Sequence, residues 1–335
     1  MITKTELIEN KKKLFEKSYG ALIGLAIGDS LGDLARMPES HEKYGITIDL
    51  DTAGAWSTDD TEFTLMIANE LIEHNGCLTT ETAVETWMRD VVSVSNLGFK
   101  TGESEKGAAE NLRRGIRPPF SGIDNSYNQS DGAAMRVAPI GVIHPCDPKK
   151  AAEMAAIEAE VSHALDGIWG AQAVAASVAV AMGDGSVDEI INAGRSYIPD
   201  DSWLGRAFDS AMRIVEQVEG NLLKAWNPLH EALWTPYRAS NPEALPSAYA
   251  LFSLTKGDFY EGVIASANFG RDADTIAALV GTWCGALHGA GSIPSEWIEK
   301  CRFPAGRSLP SSQKMDIREI AQKLVQIITK KTGMK

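Results

Sequence analysis

The chain has 335 residues, a formal net charge of −13, 44% hydrophobic and 23% charged residues. That is ordinary for a soluble globular protein and long enough for an ample core. The acidic balance argues against nucleic acid and anionic membrane as partners, and the longest apolar run, 167–183, is too short and too polar for a membrane span.

Residues 5–19 read as a helix of mixed charge. In 20–32, Gly20, Gly24, Gly28 and Gly32 recur every four residues around Asp29. Such a period costs about 1 kcal/mol of helix propensity per glycine, but it strips one face so that another backbone can approach. Residues 33–56, with Pro38, Gly45 and Gly54, read as a long loop and a candidate lid. Helices follow at about 60–75 and 80–95. The first opens at Thr58, Asp59, Asp60 and Thr61 and buries Phe63, Met66, Ile67 and Leu71. A loop with Gly98 and Gly102 precedes a short helix ending at Gly115, and 115–132 is loop-like.

Alanine-rich helices are expected at 148–163 and 166–182, then helices at 186–196 and 201–219. Four prolines and two tryptophans make 226–246 read as irregular. Helices return at 246–255 and 258–268, the latter opened by Asp258 and Glu261 as in a capping box. In 268–294, Asp272 and Asp274 flank Ala273, and Thr275 follows. Ile276, Leu279, Val280, Trp283 and Leu287 then keep helical spacing, while Gly281, Gly285 and Gly289 repeat the four-residue period. An amphipathic helix at about 312–331 closes the chain. Strand and hairpin signals are few. The expectation is an all-α, compact orthogonal helical bundle, with 1–335 as a single domain.

Cys77, Cys146, Cys284 and Cys301 show no C-x-x-C spacing and read as free thiols. The N-terminal stretch has no apolar core of a signal peptide, so a cytoplasmic location is expected.

If the helix starts converge, Asp29, Asp59, Asp60, Asp272 and Asp274 bring five negative charges together. Uncompensated carboxylates repel, and some bind protons instead. Divalent cations relieve this, and an oxygen-only set favours Mg²⁺, Mn²⁺ or Ca²⁺ over Zn²⁺. Two clusters suit two ions. Each half also has an ordinary alternative. Ser57 or Thr58 before acids is a common N-cap, and carboxylates at a helix start gain from its dipole. The D-x-D-x-T arrangement of phosphatases fits poorly, because Thr275 comes one residue early and the pair follows Gly270 and Arg271, not a strand.

Together, G-A-L-I-G-L-A-I-G-D-S-L-G, W-S-T-D-D-T, D-G-A-A-M-R-V-A-P-I-G, S-H-A-L-D and G-R-D-A-D-T-I-A-A-L-V-G-T-W-C-G-A-L-H-G resemble the ADP-ribosylglycohydrolase family, in family order across 20–294. The resemblance implies two Mg²⁺ (or Mn²⁺) ions held by Thr58, Asp59, Asp60, Asp272, Asp274 and Thr275. It implies Asp59 or Asp60 as the group that positions or deprotonates water, and substrate contacts from Asp29, Gly102, Ser104, Ser130, Asp131, Gly132 and His163. The family loop commonly reads N-G-x-x-M-R; here Asp131 replaces the asparagine, and a carboxylate is unfavourable beside a diphosphate unless it turns away or binds metal. Where the family carries a glutamate after G-D-x-x-G, Asp33, Arg36 and Glu39 stand here, and Arg136 is expected to pair with a buried acid. The implied activity is hydrolysis of an N- or O-glycosidic bond to ADP-ribose, the partner being an ADP-ribosylated protein or an ADP-ribosyl small molecule. The alternatives are a small ribosyl or nucleoside substrate, and a non-catalytic binding or structural protein, for which crystallins resembling the family are the precedent.

Overall fold

A capping box opens the chain: the Thr3 side chain accepts from the Glu6 N–H and starts α1 (Lys4–Glu9). Asn10 ends it and caps α2 (Lys11–Ala35) by accepting from the Lys13 N–H at 3.0 Å. The structure, a computed structural model, describes residues 1–35, 49–50, 56–94, 97 and 101–331. Next come α3 (Asp59–Glu73), α4 (Thr80–Trp87, continued by a π turn), α5 (Glu103–Arg113), α6 (Phe120–Ile123) and α7 (Ala138–Ile143). The middle of the chain forms α8 (Pro148–Ala159), α9 (Asp166–Met182), α10 (Val187–Arg195), α11 (Trp203–Gln217) and α12 (Leu222–Leu233). It closes with α13 (Asn241–Leu254), α14 (Phe259–Phe269), α15 (Ala273–His288), α16 (Ser295–Cys301) and α17 (Ile317–Lys331). Among the described residues there is no strand, only an isolated bridge between Ser130 and Ser240. The fold is the expected all-α bundle, and one buried hydrophobic cluster includes residues from Leu7 to Ile328. Among the described residues, no helix is long and apolar enough to cross a membrane.

The two glycine periods serve a single interface. A Cβ on Gly24 would lie 2.2 Å from the Gly281 carbonyl oxygen, and one on Gly20 2.3 Å from that of Gly285. At Gly28 and Gly32 the same atom would meet the carbonyls of Ala277 and Ala273 at 2.0 and 2.1 Å. So α2 and α15 pack backbone on backbone and antiparallel, which only residues without a Cβ permit. Asp29, next to Gly28, therefore comes beside the first turn of α15, which carries Asp274.

Two expectations are corrected. Residues 5–19 and 20–32 are not two helices; α2 runs unbroken from Lys11, the break falling at Asn10. Residues 226–246 are not irregular, for they hold most of α12 and the start of α13. Pro242 sits in the first turn of α13, where its missing N–H has no intrahelical partner to lose. Pro228 and Pro246 lie inside α12 and α13, each removing one ladder hydrogen bond.

Candidate metal centre and its cavity

The start of α3 is held by a carboxylate from α2. Asp29 Oδ2 accepts the N–H groups of Thr58 (2.9 Å) and Thr61 (3.2 Å) and the Thr61 hydroxyl (2.5 Å). The Thr58 hydroxyl lies 2.6 Å from Asp29 Oδ1 and 3.3 Å from Asp60 Oδ2. Thr58 makes no side-chain cap bond, and Ser57 Oγ donates instead to Glu62 Oε1 at 2.6 Å. Asp272, at the N-cap of α15, makes no cap bond either. Side-chain capping by Thr58 or Asp272 is therefore not what these helix starts use.

Those starts do converge. One carboxylate oxygen each from Asp29, Asp60 and Asp274 lie within 4.8 Å of one another, all three residues buried. Burial, then the charges of Asp274, Asp29, Asp59 and Asp272, push Asp60 well above the usual carboxylate range. Burial also lifts Asp29 to about 6, against the lowering effect of its Thr58 and Thr61 hydrogen bonds. Asp60 Oδ1 has no hydrogen-bond donor. A buried, unsatisfied carboxylate oxygen among further carboxylates fits a hard, oxygen-ligated divalent cation.

A cavity of about 390 Å³ opens beside the cluster. Asp59, Asp60, Asp272 and Thr275 line one side, and Gly102, Ser104, Ser130, Asp131 and Gly132 another. The two walls are joined where the Gly102 N–H donates to Asp59 Oδ2 at 2.6 Å. The 129–131 loop is pinned along 239–241, with Asp131 N–H on the Ala239 carbonyl (3.0 Å) and Asn241 N–H on that of Gln129 (3.1 Å). Asp272 Oδ1 accepts from Arg238 Nε at 3.3 Å, and Oδ2 from the Thr275 hydroxyl at 3.2 Å. Burial and the facing charge of Asp272 raise Asp131 well above its usual range. Positive φ at Gly270 (78°) and Arg271 (61°) turns the chain so that Arg271 pairs with Glu243 while Asp272 faces the cavity.

Four of the expected site residues stand back from the cavity. Thr58, Asp274 and Asp29 belong to the buried cluster behind it. His163 is also buried, its Nε2 3.0 Å from Ser130 Oγ and its Nδ1 2.7 Å from Ser162 Oγ. Burial, and then the nearby Arg136 charge, hold His163 well below its usual pKa, so it is neutral. Asp29 holds Thr58 and Thr61 within the buried cluster, and His163 holds Ser130, which lines the cavity. Arg136 has the expected buried partners. Its Nε lies 3.0 Å from both Glu158 oxygens, and its Nη1 2.8 Å from Glu105 Oε1.

Glu105 is a cavity residue that sequence reasoning missed. It lines the wall, takes the Ser104 hydroxyl at 2.7 Å, and packs against Gly102 and Gly132, where a Cβ would come within 2.5 and 2.3 Å of its oxygens. Its place three residues after Gly102, one turn into α5, was the available signal. Tyr237 and Arg238 were missed because they fall in the stretch read as irregular. Gly98, Arg36 and Glu39 lie outside the described residues, as does most of the candidate lid.

A family model described as ADP-ribosylglycohydrolase matches residues 10–333. An uncharacterized protein of Archaeoglobus fulgidus is 30% identical over 302 residues, 85% of this chain and 91% of its own length. ADP-ribosylarginine hydrolase Tri1 of Pseudomonas putida is 25% identical over 86% of this chain and 75% of its own. A solved structure, an ADP-ribosylglycohydrolase-related protein complex, matches with a TM-score of 0.65 at 22% identity, covering 95% of this chain and 99% of that one, a likeness of fold.

Proposed function

The chain belongs to the ADP-ribosylglycohydrolase family, and on that premise we propose that it uses two Mg²⁺ or Mn²⁺ ions to release ADP-ribose from a protein side chain. It is a glycosidic-bond hydrolase of the ADP-ribosyl class. The observation that carries the metal reading is the meeting of Asp29, Asp60 and Asp274, with Asp60 Oδ1 lacking any donor. Thr58, Asp59, Asp60, Asp272, Asp274 and Thr275 would hold the ions. When bound, such ions orient ribose hydroxyls and lower the pKa of water.

The chain's own residues supply the rest. Asp59 and Asp60 border the cavity and serve to position or deprotonate the attacking water. Asp59 is kept in place by the Gly102 N–H. The transition state of glycoside hydrolysis is oxocarbenium-like, and a wall of carboxylates suits its positive charge. Asp29 acts by fixing Thr58 and Thr61, and His163 by fixing Ser130. Gly102, Ser104, Ser130 and Gly132 form the wall along which the substrate lies.

ADP-ribosylarginine is the first substrate to try, since the Tri1 relative is named for it. Asp131 favours a second reading, hydrolysis of a small ribosyl or nucleoside compound, because its carboxylate lies where a diphosphate would add negative charge. We read 1–335 as one domain, supported by the continuous core, and the location as cytoplasmic, supported by four free cysteines. The partner is an ADP-ribosylated protein or small molecule, with no role for nucleic acid or membrane.

The test is release of ADP-ribose from ADP-ribosylarginine with Mg²⁺, comparing the parent with Asp274→Asn. Loss of positioning and of metal binding should lower the rate by orders of magnitude, with circular dichroism unchanged. A folded variant with parental activity would remove the cluster from the mechanism.

A further inference from the structure

We propose that Asp131 is itself a cation ligand, sharing one ion with Asp272 at the cavity wall. The inference rests on the metal-dependent reading above and extends its ligand set to the opposite wall.

Asp131 is 3% exposed, and its Oδ2 has no hydrogen-bond donor. Asp131 and Asp272 line the same cavity, and the Asp272 carboxylate faces Asp131 closely enough to raise its pKa. The backbone holds Asp131 there. Its N–H is spent on the Ala239 carbonyl at 3.0 Å, and its own carbonyl takes the Met135 N–H at 2.9 Å. The side chain therefore cannot be relieved by a small swing of the loop. Two buried carboxyl groups facing each other need a proton or a cation between them.

Among the described residues, the cations around the cavity pair mainly with other acids. Arg271 pairs with Glu243, Arg136 with Glu158 and Glu105, and Lys106 with Glu103. Arg238 Nε lies 3.3 Å from Asp272, but its side chain is 40% exposed, which makes it a weak counter-charge. A divalent ion between Asp131 and Asp272 meets hard oxygen donors from both walls. It also changes what the wall presents to a ligand. With the ion in place, Asp131 offers a cation to phosphate or hydroxyl oxygens, and the like-charge objection to a diphosphate disappears.

The test titrates Mn²⁺ into the metal-free protein, following the free ion by electron paramagnetic resonance and the melting temperature in parallel. Parent, Asp131→Asn and Asp131→Ser are compared, the serine variant guarding against a folding defect peculiar to asparagine. Either variant should bind one ion about tenfold more weakly or worse. In chelator, each should melt at or above the parent, since a repelling charge is gone, yet gain less from Mn²⁺. A parent that binds Mn²⁺, with variants matching its isotherm and its melting gain, overturns this inference alone. A parent that binds no Mn²⁺ overturns the metal-dependent reading beneath it as well.

Discussion

Replacing Gly28 by alanine tests whether the α2–α15 contact positions the site. The added Cβ would lie 2.0 Å from the Ala277 oxygen, 2.3 Å from its carbonyl carbon and 2.6 Å from the Ala278 nitrogen, where ordinary contact is 3.4–4 Å. All three obstacles are backbone, so the helices must part by roughly 1 Å or more. Helix propensity returns about 1 kcal/mol. Overpacking of a close contact costs about 1–3 kcal/mol and more where backbone must move, which leaves a net loss of about 2 kcal/mol. At about 2.1 cal/mol/K per residue, 335 residues give an unfolding entropy of about 0.7 kcal/mol/K, so the melting temperature falls by roughly 3 °C. The same separation draws Asp29 from Asp274, so Mn²⁺ affinity should fall with stability. Calorimetry and Mn²⁺ titration on Gly28→Ala measure both. Gly291→Ala is the control, because its Cβ would meet nothing nearer than Glu16 Oε2 at 3.9 Å. A Gly28→Ala protein as stable as the parent, with parental Mn²⁺ affinity, would refute the backbone contact and the positioning it provides.

Two further substitutions probe buried charge. Arg136→Met strips the partner from Glu158 and Glu105, and leaving a buried pair half-empty costs about 3–5 kcal/mol; urea unfolding showing a loss under about 1 kcal/mol would contradict the network. Glu70 is pushed by burial to about 8 from 4.5, so the folded state holds its proton more tightly than the unfolded chain does. Its contribution is therefore lost as pH rises from 4.5 through 8. Glu70→Gln should match the parent near pH 4 and exceed its stability by a few kcal/mol, in order of magnitude, near pH 9. Denaturation at both pH values checks this, and equal gaps would show that Glu70 does not titrate this way.

The periodic signals were legible because they report single physical demands. A four-residue glycine repeat has little use except close backbone approach, and both repeats meet in one interface. Acid and threonine clusters at two helix starts were legible as a candidate site because together they exceed what capping requires, and the acids Asp29, Asp60 and Asp274 do meet. What failed to show in the sequence depends on tertiary contacts. Pro228, Pro242 and Pro246 suggested disorder of the helix, yet burial of Leu229, Leu233 and Leu245 outweighs the lost hydrogen bonds. Glu105 gave no motif, since its place is set by Arg136, thirty-one residues away. The partners of Asp29 and His163 were not legible, because only the fold brings Asp29 onto Thr58 and Thr61 and His163 onto Ser130.

On the proposed function, the carboxylates gathered by α2, α3 and α15 hold metal ions that receive a ribose. Anomalous diffraction from crystals soaked with Mn²⁺ and ADP-ribose addresses this most directly. The account predicts two Mn²⁺ peaks within coordinating distance of Asp60 and Asp274, with ribose hydroxyls on them and the diphosphate along the Gly102–Ser104 and Ser130–Gly132 walls. No peak at the cluster, or ADP-ribose seated away from it, would contradict the account.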